Sequence, residues 1–299
     1  EFFGRFRSAE KAAIAAGLAT HAAWPAALVD WALSDGIDLT AAQTTTRLTA
    51  LVTLFMLTPM VLSVTAGLVN NYSRGLASGL TTRWLEQVWE GYGDTVLWSL
   101  AIASSCALIT IVVGVPCAYA LARTRSRWAR LFEELLILPV AVPGLATGLA
   151  LILVYGQFRS FRQSFLFILV GHVVFTLPFV VRTVSSAFAN RELVAIEEAA
   201  RTLGAGFSRR LSGVLIPAVM PAIIASALMV FTLSVGEFNL TWMLHTPLTR
   251  TLPVGLADSY ASMRIEVGSA YTLIFFIVVL PLLWGLQAIA NEVQKRYGT

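Results

Sequence analysis

The chain has 299 residues, of which 57% are hydrophobic and 13% charged, and its mean hydropathy is +0.74. A soluble domain carries about 25% charged residues, so this composition excludes an ordinary water-soluble fold and calls for lipid contact. The basic excess, 21 Lys and Arg against 17 Asp and Glu, is scattered through short segments rather than massed on one face, which argues against nucleic acid and for an asymmetric membrane topology.

Residues Glu1 to Glu10 mix charges and aromatics, and no short apolar core with a small-residue cleavage site follows, so a cleavable signal peptide is not expected. Residues 11–33 are apolar enough to be read either as a span or as an interfacial helix. Ile14, Leu18, Leu28 and Trp31 fall near one helical face, with His21 and Asp30 in the run and Pro25 interrupting it. A kinked amphipathic helix on the membrane surface is the reading adopted, within a cytoplasmic or interfacial segment 1–47.

A membrane-spanning helix takes about 20 mostly apolar residues, and six stretches qualify. They run from Leu48 to Val69, Thr95 to Ala122, Leu131 to Tyr155, Phe165 to Phe188, Ala218 to Met243 and Ser269 to Ala290. The fold expected is an all-α membrane protein, a six-span helical bundle over residues 48–292 with a tail at 293–299. An even number of spans puts both ends on one side. With both termini cytoplasmic, fifteen of the 21 basic residues lie inside, including Arg123, Arg125, Arg127, Arg130, Arg201, Arg209 and Arg210. The positive-inside rule therefore favours that orientation, and it places the long loop 190–217 in the cytoplasm.

Within the spans stand Pro59, Pro116, Pro139, Pro143, Pro178, Pro221 and Pro281, and Gly144 with Gly148 forms a small-xxx-small pair. These serve either ordinary bundle packing or a bundle that must change shape. Cys106 and Cys117, eleven residues apart in one apolar run, are separated by about 16 Å on a helix, too far for a disulfide, and read as inert buried thiols. His21, His172 and His245 have no His or Cys partners at ligand spacing, so no metal site is expected. His172 reads as a hydrogen-bonded bundle residue, and Arg182 as an interfacial snorkel.

An ionisable group inside a membrane defaults to a functional hypothesis. Glu237 and Asn239, beside Gly236, are candidates for a solute pathway, with an interhelical contact as the alternative. Outside, the run Thr251 to Tyr260 contains Pro253 and Gly255 and reads as a re-entrant or surface segment. Its Asp258 and Tyr260 are further pathway candidates, unless the run is a tight connector.

The loop between the fourth and fifth spans carries the most information. Leu193, Ile196, Ala200 and Leu203 repeat at helical spacing, and Glu197 and Arg201 stand four apart as a candidate ion pair. Gly204 suits a left-handed helix C-cap and Ser208 the N-cap of a second helix. The pattern is a helix, a turn and a helix, lying either on the membrane face or against a soluble partner. Glu198-Ala199-Ala200, three residues, Gly204, nine residues, Val214, one residue and Ile216-Pro217 resembles the EAA motif of permease subunits of binding-protein-dependent ABC importers, Val214 and Ile216 departing conservatively from Ile and Leu.

The resemblance implies the type I (MetI-like) importer fold, with the loop as a coupling helix in which Glu198, Ala199, Ala200, Arg201, Leu203, Gly204, Gly206 and Pro217 meet the ATPase. It implies a bacterial inner-membrane subunit that is not itself an enzyme. The partners implied are a second permease subunit, two copies of a cytoplasmic ATP-binding subunit that hold ATP and Mg, and an external solute-binding protein. No Gly-Lys pair of a phosphate-binding loop is present, since Lys11 follows Glu10 and Lys295 follows Gln294. A secondary transporter, the alternative class, is expected to carry more intramembrane carboxylates and repeated halves.

As to substrate, Arg250 to Leu256 and Pro139 to Gly144 look like the branch serving polyamines, ferric iron, thiamine and organophosphonates. Gly255 to Arg264 looks most like permeases for 2-aminoethylphosphonate.

Overall fold

A computed structural model of the chain describes residues 39–124 and 126–297. The amphipathic helix expected over 11–33 lies outside the described residues. The chain divides into two units, residues 1–62 and 63–299. From the first emerges helix α1, Leu39–Ala66, which contains Pro59 and exposes Leu54, Phe55 and Met56.

The second unit contains α2 (Arg83–Arg123), α3 (Arg127–Ala141), α4 (Gly144–Tyr155), α5 (Phe165–Phe188), α6 (Arg191–Thr202), α7 (Phe207–Arg210), α8 (Ile216–Val235), α9 (Asn239–Leu244), α10 (Leu252–Ala261) and α11 (Ile265–Tyr297). Among the described residues the one extended pairing is an isolated bridge, Val69 to Leu80. Among the described residues five helical rods are long and apolar enough to cross a membrane, and the bent pair α3 and α4 makes a sixth if counted as one span.

The core lies where α2, α5 and α8 meet, around Cys106, Val115, Val180, Val184, Val219 and Val230. Small residues allow the approach: a Cβ at Gly114 would sit 2.9 Å from Val180 Cγ1. A second cluster, with Val88, Val96, Leu252, Val267 and Tyr271, joins the early part of α2 to α10 and α11. Cys106 and Cys117 are free thiols, and the Cys106 sulfur lies 3.2 Å from the Thr176 hydroxyl.

Three expected spans differ in the structure. The third is not one rod: α3 and α4 meet at 106°. Proline disfavours helical geometry in the residue before it, and Val142, ahead of Pro143, is extended at φ −87°, ψ 136°. Pro139, by contrast, is accommodated inside α3. The fifth span, expected to reach Met243, stops at Val235 and resumes at Asn239 after the break Gly236-Glu237-Phe238. The second is longer than expected, because α2 runs back twelve residues before Thr95 to Arg83.

The segment after Thr251 is the helix α10, whose Leu252, Val254, Gly255 and Ser259 are buried. It is therefore packed into the unit rather than laid on a surface.

Candidate functional site

Helix α6 starts at Asn190, whose side-chain oxygen accepts the Glu192 amide at 2.9 Å. It ends in a Schellman turn. Gly204 is left-handed at φ +81°, its amide donates to the Arg201 carbonyl at 3.0 Å, and the Ala205 amide donates to the Ala200 carbonyl at 3.0 Å. The next helix begins two residues earlier than expected. Gly206 takes the N-cap position in place of Ser208, and the Phe207 ring seats 5.8 Å from that of Tyr119.

From Phe207 the chain continues as one rod to Val235. A π-helical turn at Leu211–Leu215 precedes α8, in which Pro217 lies in the first turn. The proline ring clashes with the carbonyl four residues back, and a wider turn relieves that clash.

The expected apolar stripe is only partly covered. Leu193 is buried, whereas Ile196 is 47% and Leu203 87% exposed. Glu198, Ala199, Arg201, Gly204 and Gly206 are exposed with them, Ala200 is half-buried, and Pro217 stands apart, half-buried in α8. The loop thus presents a small-residue and apolar surface that its own bundle leaves open.

The expected Glu197–Arg201 pair is not formed. Glu197 turns inward, one helical turn after Leu193, and is buried. Its Oε1 accepts the Tyr119 hydroxyl at 2.7 Å, and its Oε2 accepts Arg123 Nε at 2.8 Å and pairs with Nη2 at 2.7 Å. Arg210 Nε stands 3.9 Å from Oε1. Arg123 Nη1 also donates to the Phe188 carbonyl at the end of α5, at 2.6 Å. Burial alone pushes the Glu197 carboxyl up, but the Tyr119 and Arg123 hydrogen bonds and the charges of Arg123 and Arg210 outweigh it and hold the group below its ordinary value. The sequence pattern assigned Glu197 only a surface pairing with Arg201 and no place among the site residues. The signal was its spacing of four from Leu193, matched by Tyr119 and Arg123 four apart on α2.

The pathway candidates fall into two groups. Glu237 sits in the break of the fifth span and caps α9: Oε1 accepts the Leu240 amide at 3.0 Å and Oε2 the Thr241 amide at 2.9 Å. The Thr241 hydroxyl donates to Glu237 Oε2 at 3.0 Å, and His172 Nε2 lies 2.7 Å from that hydroxyl. His172 Nδ1 lies 2.7 Å from the Ser234 hydroxyl, so this buried imidazole bridges the two sides of the break, as a hydrogen-bonded bundle residue. Asn239 is exposed, its Cβ position 3.3 Å from a Cβ built on Gly144. A Cβ on Gly148 would lie 2.7 Å from Met243 Cβ, so the Gly144 and Gly148 face lets α4 lie directly on α9. The two broken spans therefore meet at their breaks.

Asp258 is elsewhere, on α10, in an ion pair with Arg250 at 3.2 Å. Tyr260 donates or accepts at Ser63 (3.0 Å) and Ser269 (3.1 Å). It lines a cavity of about 610 Å³ with Gly236, Phe238, Leu256, Tyr271 and Phe275. Among the described residues no group of three His, Cys, Asp or Glu is placed to hold a metal.

Broken spans packed on one another, with a capped helix–turn–helix projecting between two rods, define a multi-pass membrane permease. Residues 110–295 match the family described as binding-protein-dependent transport system inner membrane component. The chain belongs to that family, the non-catalytic permease subunits of ABC importers, which lie in the inner membrane and work with an ATPase and a solute-binding protein.

Three relatives illustrate its range. A putative 2-aminoethylphosphonate transport system permease protein, PhnV, of Salmonella typhimurium is 28% identical over 81% of this chain and 92% of its own. The putrescine transport system permease protein PotI of Escherichia coli is 29% identical over 81% and 90%. The molybdenum transport system permease protein ModB of Azotobacter vinelandii is 31% identical over 56% and 80%. In structure, a chain of the MetNI methionine ABC transporter in an inward-facing conformation is similar at TM-score 0.56 and 17% identity, over 68% of this chain and 94% of that one. That likeness concerns the fold.

Proposed function

We propose that this permease carries an organophosphonate such as 2-aminoethylphosphonate, and that it takes up force from its ATPase through the surface of α6 and the turn after it. The observation that carries the coupling assignment is the exposed surface of Glu198, Ala199, Arg201, Leu203, Gly204 and Gly206, held in shape by the Schellman turn at Gly204. An exposed Leu203 beside small residues suits a groove on a soluble protein, because small side chains permit close approach and the leucine supplies apolar area to bury. Ala200 and Pro217 set the spacing of that surface rather than its contacts.

In this reading the loop and both termini are cytoplasmic, in line with the basic residues counted on that side. The permease domain covers 48–292 after an N-terminal segment 1–47 and before the tail 293–299. Two permease subunits pair with two ATPases that hold ATP and Mg. Glu237, Asn239 and Tyr260 belong to the solute path: the first two flank the junction of the broken spans, and Tyr260 faces the 610 Å³ cavity. Asp258 holds Arg250 beside α10.

The substrate rests on the coverage of the PhnV relative. Putrescine is the second reading, favoured by the PotI relative at almost equal identity and coverage; ferric iron and thiamine rest on sequence resemblance alone. The test is a thermal-shift screen of the solute-binding protein made with this subunit, against 2-aminoethylphosphonate, putrescine and molybdate. Stabilisation by 2-aminoethylphosphonate alone is the expected result, and stabilisation by either of the others instead would overturn the assignment.

A further inference from the structure

Helix α6 has few ties to the bundle. Of its twelve residues only Leu193 and Glu197 are buried; Val194 is half-buried and Ile196 faces outward. An apolar contact such as that of Leu193 is non-directional and can slide. The carboxylate of Glu197 cannot: both its oxygens are engaged, one by Tyr119 and the other by two nitrogens of Arg123. The charge-assisted hydrogen bond from Arg123 Nε, with the Tyr119 hydroxyl on the other oxygen, adds orientation as well as attraction.

Four elements meet at this point. Tyr119 and Arg123 are on α2, the Phe188 carbonyl that Arg123 also holds ends α5, Glu197 is on α6 and Arg210 on α7. The Tyr119 ring packs edge-on to Phe188 at 5.4 Å and tilted to Phe207 at 5.8 Å. Helix α2 then runs unbroken for 41 residues, about 60 Å at the rise of an α-helix. Further along it, Trp98 stacks on Phe165 of α5 at 3.9 Å, and the Ser99 hydroxyl accepts the Leu252 amide, the first of α10, at 2.7 Å. Residues of α10 line the 610 Å³ cavity.

We propose that Glu197 is a positioning residue for coupling: clasped by Tyr119 and Arg123, it fixes the docking helix to α2, so that displacement of α6 moves α2 as a lever and reaches the far end of the bundle at α10. The inference rests on the docking of the ATPase at α6. Its physical basis is that a buried ion pair is weak evidence for stability, since replacing both partners by apolar side chains of similar size is often neutral or better. What such a replacement removes is the fixed geometry.

The experiment uses the complete transporter, co-expressed with its ATPase and binding protein and reconstituted in proteoliposomes. The variants are Glu197→Gln, the paired Glu197→Met with Arg123→Met, and the charge exchange Glu197→Arg with Arg123→Glu. The paired methionines guard against simple misfolding from an unpaired buried charge. Three quantities are read: ATPase retained on purification, ATP hydrolysed, and solute accumulated per ATP. The solute is whichever of labelled 2-aminoethylphosphonate, putrescine or molybdate the unmodified transporter takes up.

For the paired methionine variant the expected result is a full complement of ATPase and solute per ATP reduced by about tenfold, with partial recovery in the charge exchange. Unchanged solute per ATP in the paired methionine variant overturns the proposal, including the case in which hydrolysis and uptake fall in parallel, as a merely structural role would give. Loss of the ATPase from that variant also overturns it, because Glu197 would then act in docking. Docking itself is read separately, by cross-linking Ala199→Cys to the ATPase. If that cross-link does not form, the docking surface is wrong; if it forms while the clasp variants transport normally, only the lever is wrong.

Discussion

Glu237 caps the helix that Thr241 enters: one carboxylate oxygen accepts both the amide of Thr241 at 2.9 Å and its hydroxyl at 3.0 Å. A break in a spanning helix leaves amide donors without carbonyl partners, and away from water each must be satisfied by the protein. Glu237 answers two of them, Leu240 and Thr241. Replacing it by Ala is expected to destabilise the detergent-solubilised subunit by about 0.5–2 kcal/mol, the usual range for a lost cap, and Gln, which keeps one acceptor, by less. Thermal unfolding followed by tryptophan fluorescence gives both values. Equal stability of the Ala variant and the unmodified chain would remove the capping role and leave Glu237 free to be read as a solute contact.

The junction of the broken spans offers a second prediction. Gly148 faces Met243 so closely that an added Cβ would come within 2.7 Å of Met243 Cβ, nearer than real side chains pack. Gly148→Ala should therefore push α9 off α4 and cost about 1–3 kcal/mol, the range for overpacking. Met243→Gly in the same chain should recover part of the loss, because it removes the Cβ that the new methyl group meets. The double-variant cycle, read by the same unfolding measurement, decides this: additive losses would mean that the two residues do not press on one another.

These two sites mark how far the sequence could be read. Phe165 to Phe188 came out to the residue, because a largely apolar run of span length lies between Ser164 and the Ala189-Asn190 turn and leaves few alternatives. Gly204 was legible too, since a glycine at the end of a helical period has a specific backbone reason to be there. The breaks were not. Pro139 and Pro143 look alike in the sequence, yet the first is tolerated inside a helix and the second ends one, and what separates them is whether packing on α9 rewards the bend. Nor was the true partner of Glu197 legible. The local rule offered Arg201 four residues on, but burial of the Leu193 face turned the carboxylate toward Arg123, 74 residues earlier. Pairings at that separation are fixed by the tertiary fold, which local pattern does not contain.

The Glu197 clasp also has a pH signature. A carboxyl held below its ordinary value in the folded state adds stability that is present above the unfolded value and is lost as pH falls through the folded one. The stability gap between the unmodified chain and Glu197→Gln should therefore be level from about pH 8 to pH 5.5, and should narrow only below about pH 4.3, the ordinary glutamate value. Unfolding curves of the two proteins across that range test the sign. A gap that widened on acidification would mean that Glu197 is protonated in the folded state and that Arg123 is not its ionic partner.

Gly204 supplies the last prediction, because there the backbone and the surface make opposite demands on a substitution. Its φ of +81° is a region L side chains rarely adopt, while a Cβ built on it meets nothing within 4 Å. Any cost is thus conformational rather than steric, about 1–2 kcal/mol for an ordinary residue. If the turn is what matters, activity should follow tolerance of the left-handed region and not side-chain size. Gly204→Asn should keep most of the uptake, Gly204→Ala less, and the β-branched Gly204→Val least. Gly204→Asp carries a second burden, a negative charge at the C-terminal end of α6, where the helix dipole disfavours it, and should lose coupling that Asn retains. Global unfolding should shift by no more than that conformational cost across the set, and losses that persist per subunit in the membrane belong to coupling and not to abundance. Uptake normalised to the amount of subunit in the membrane is the measurement. A Val variant that transports like the unmodified chain, with its ATPase still bound, would show that the left-handed turn does not set the coupling surface.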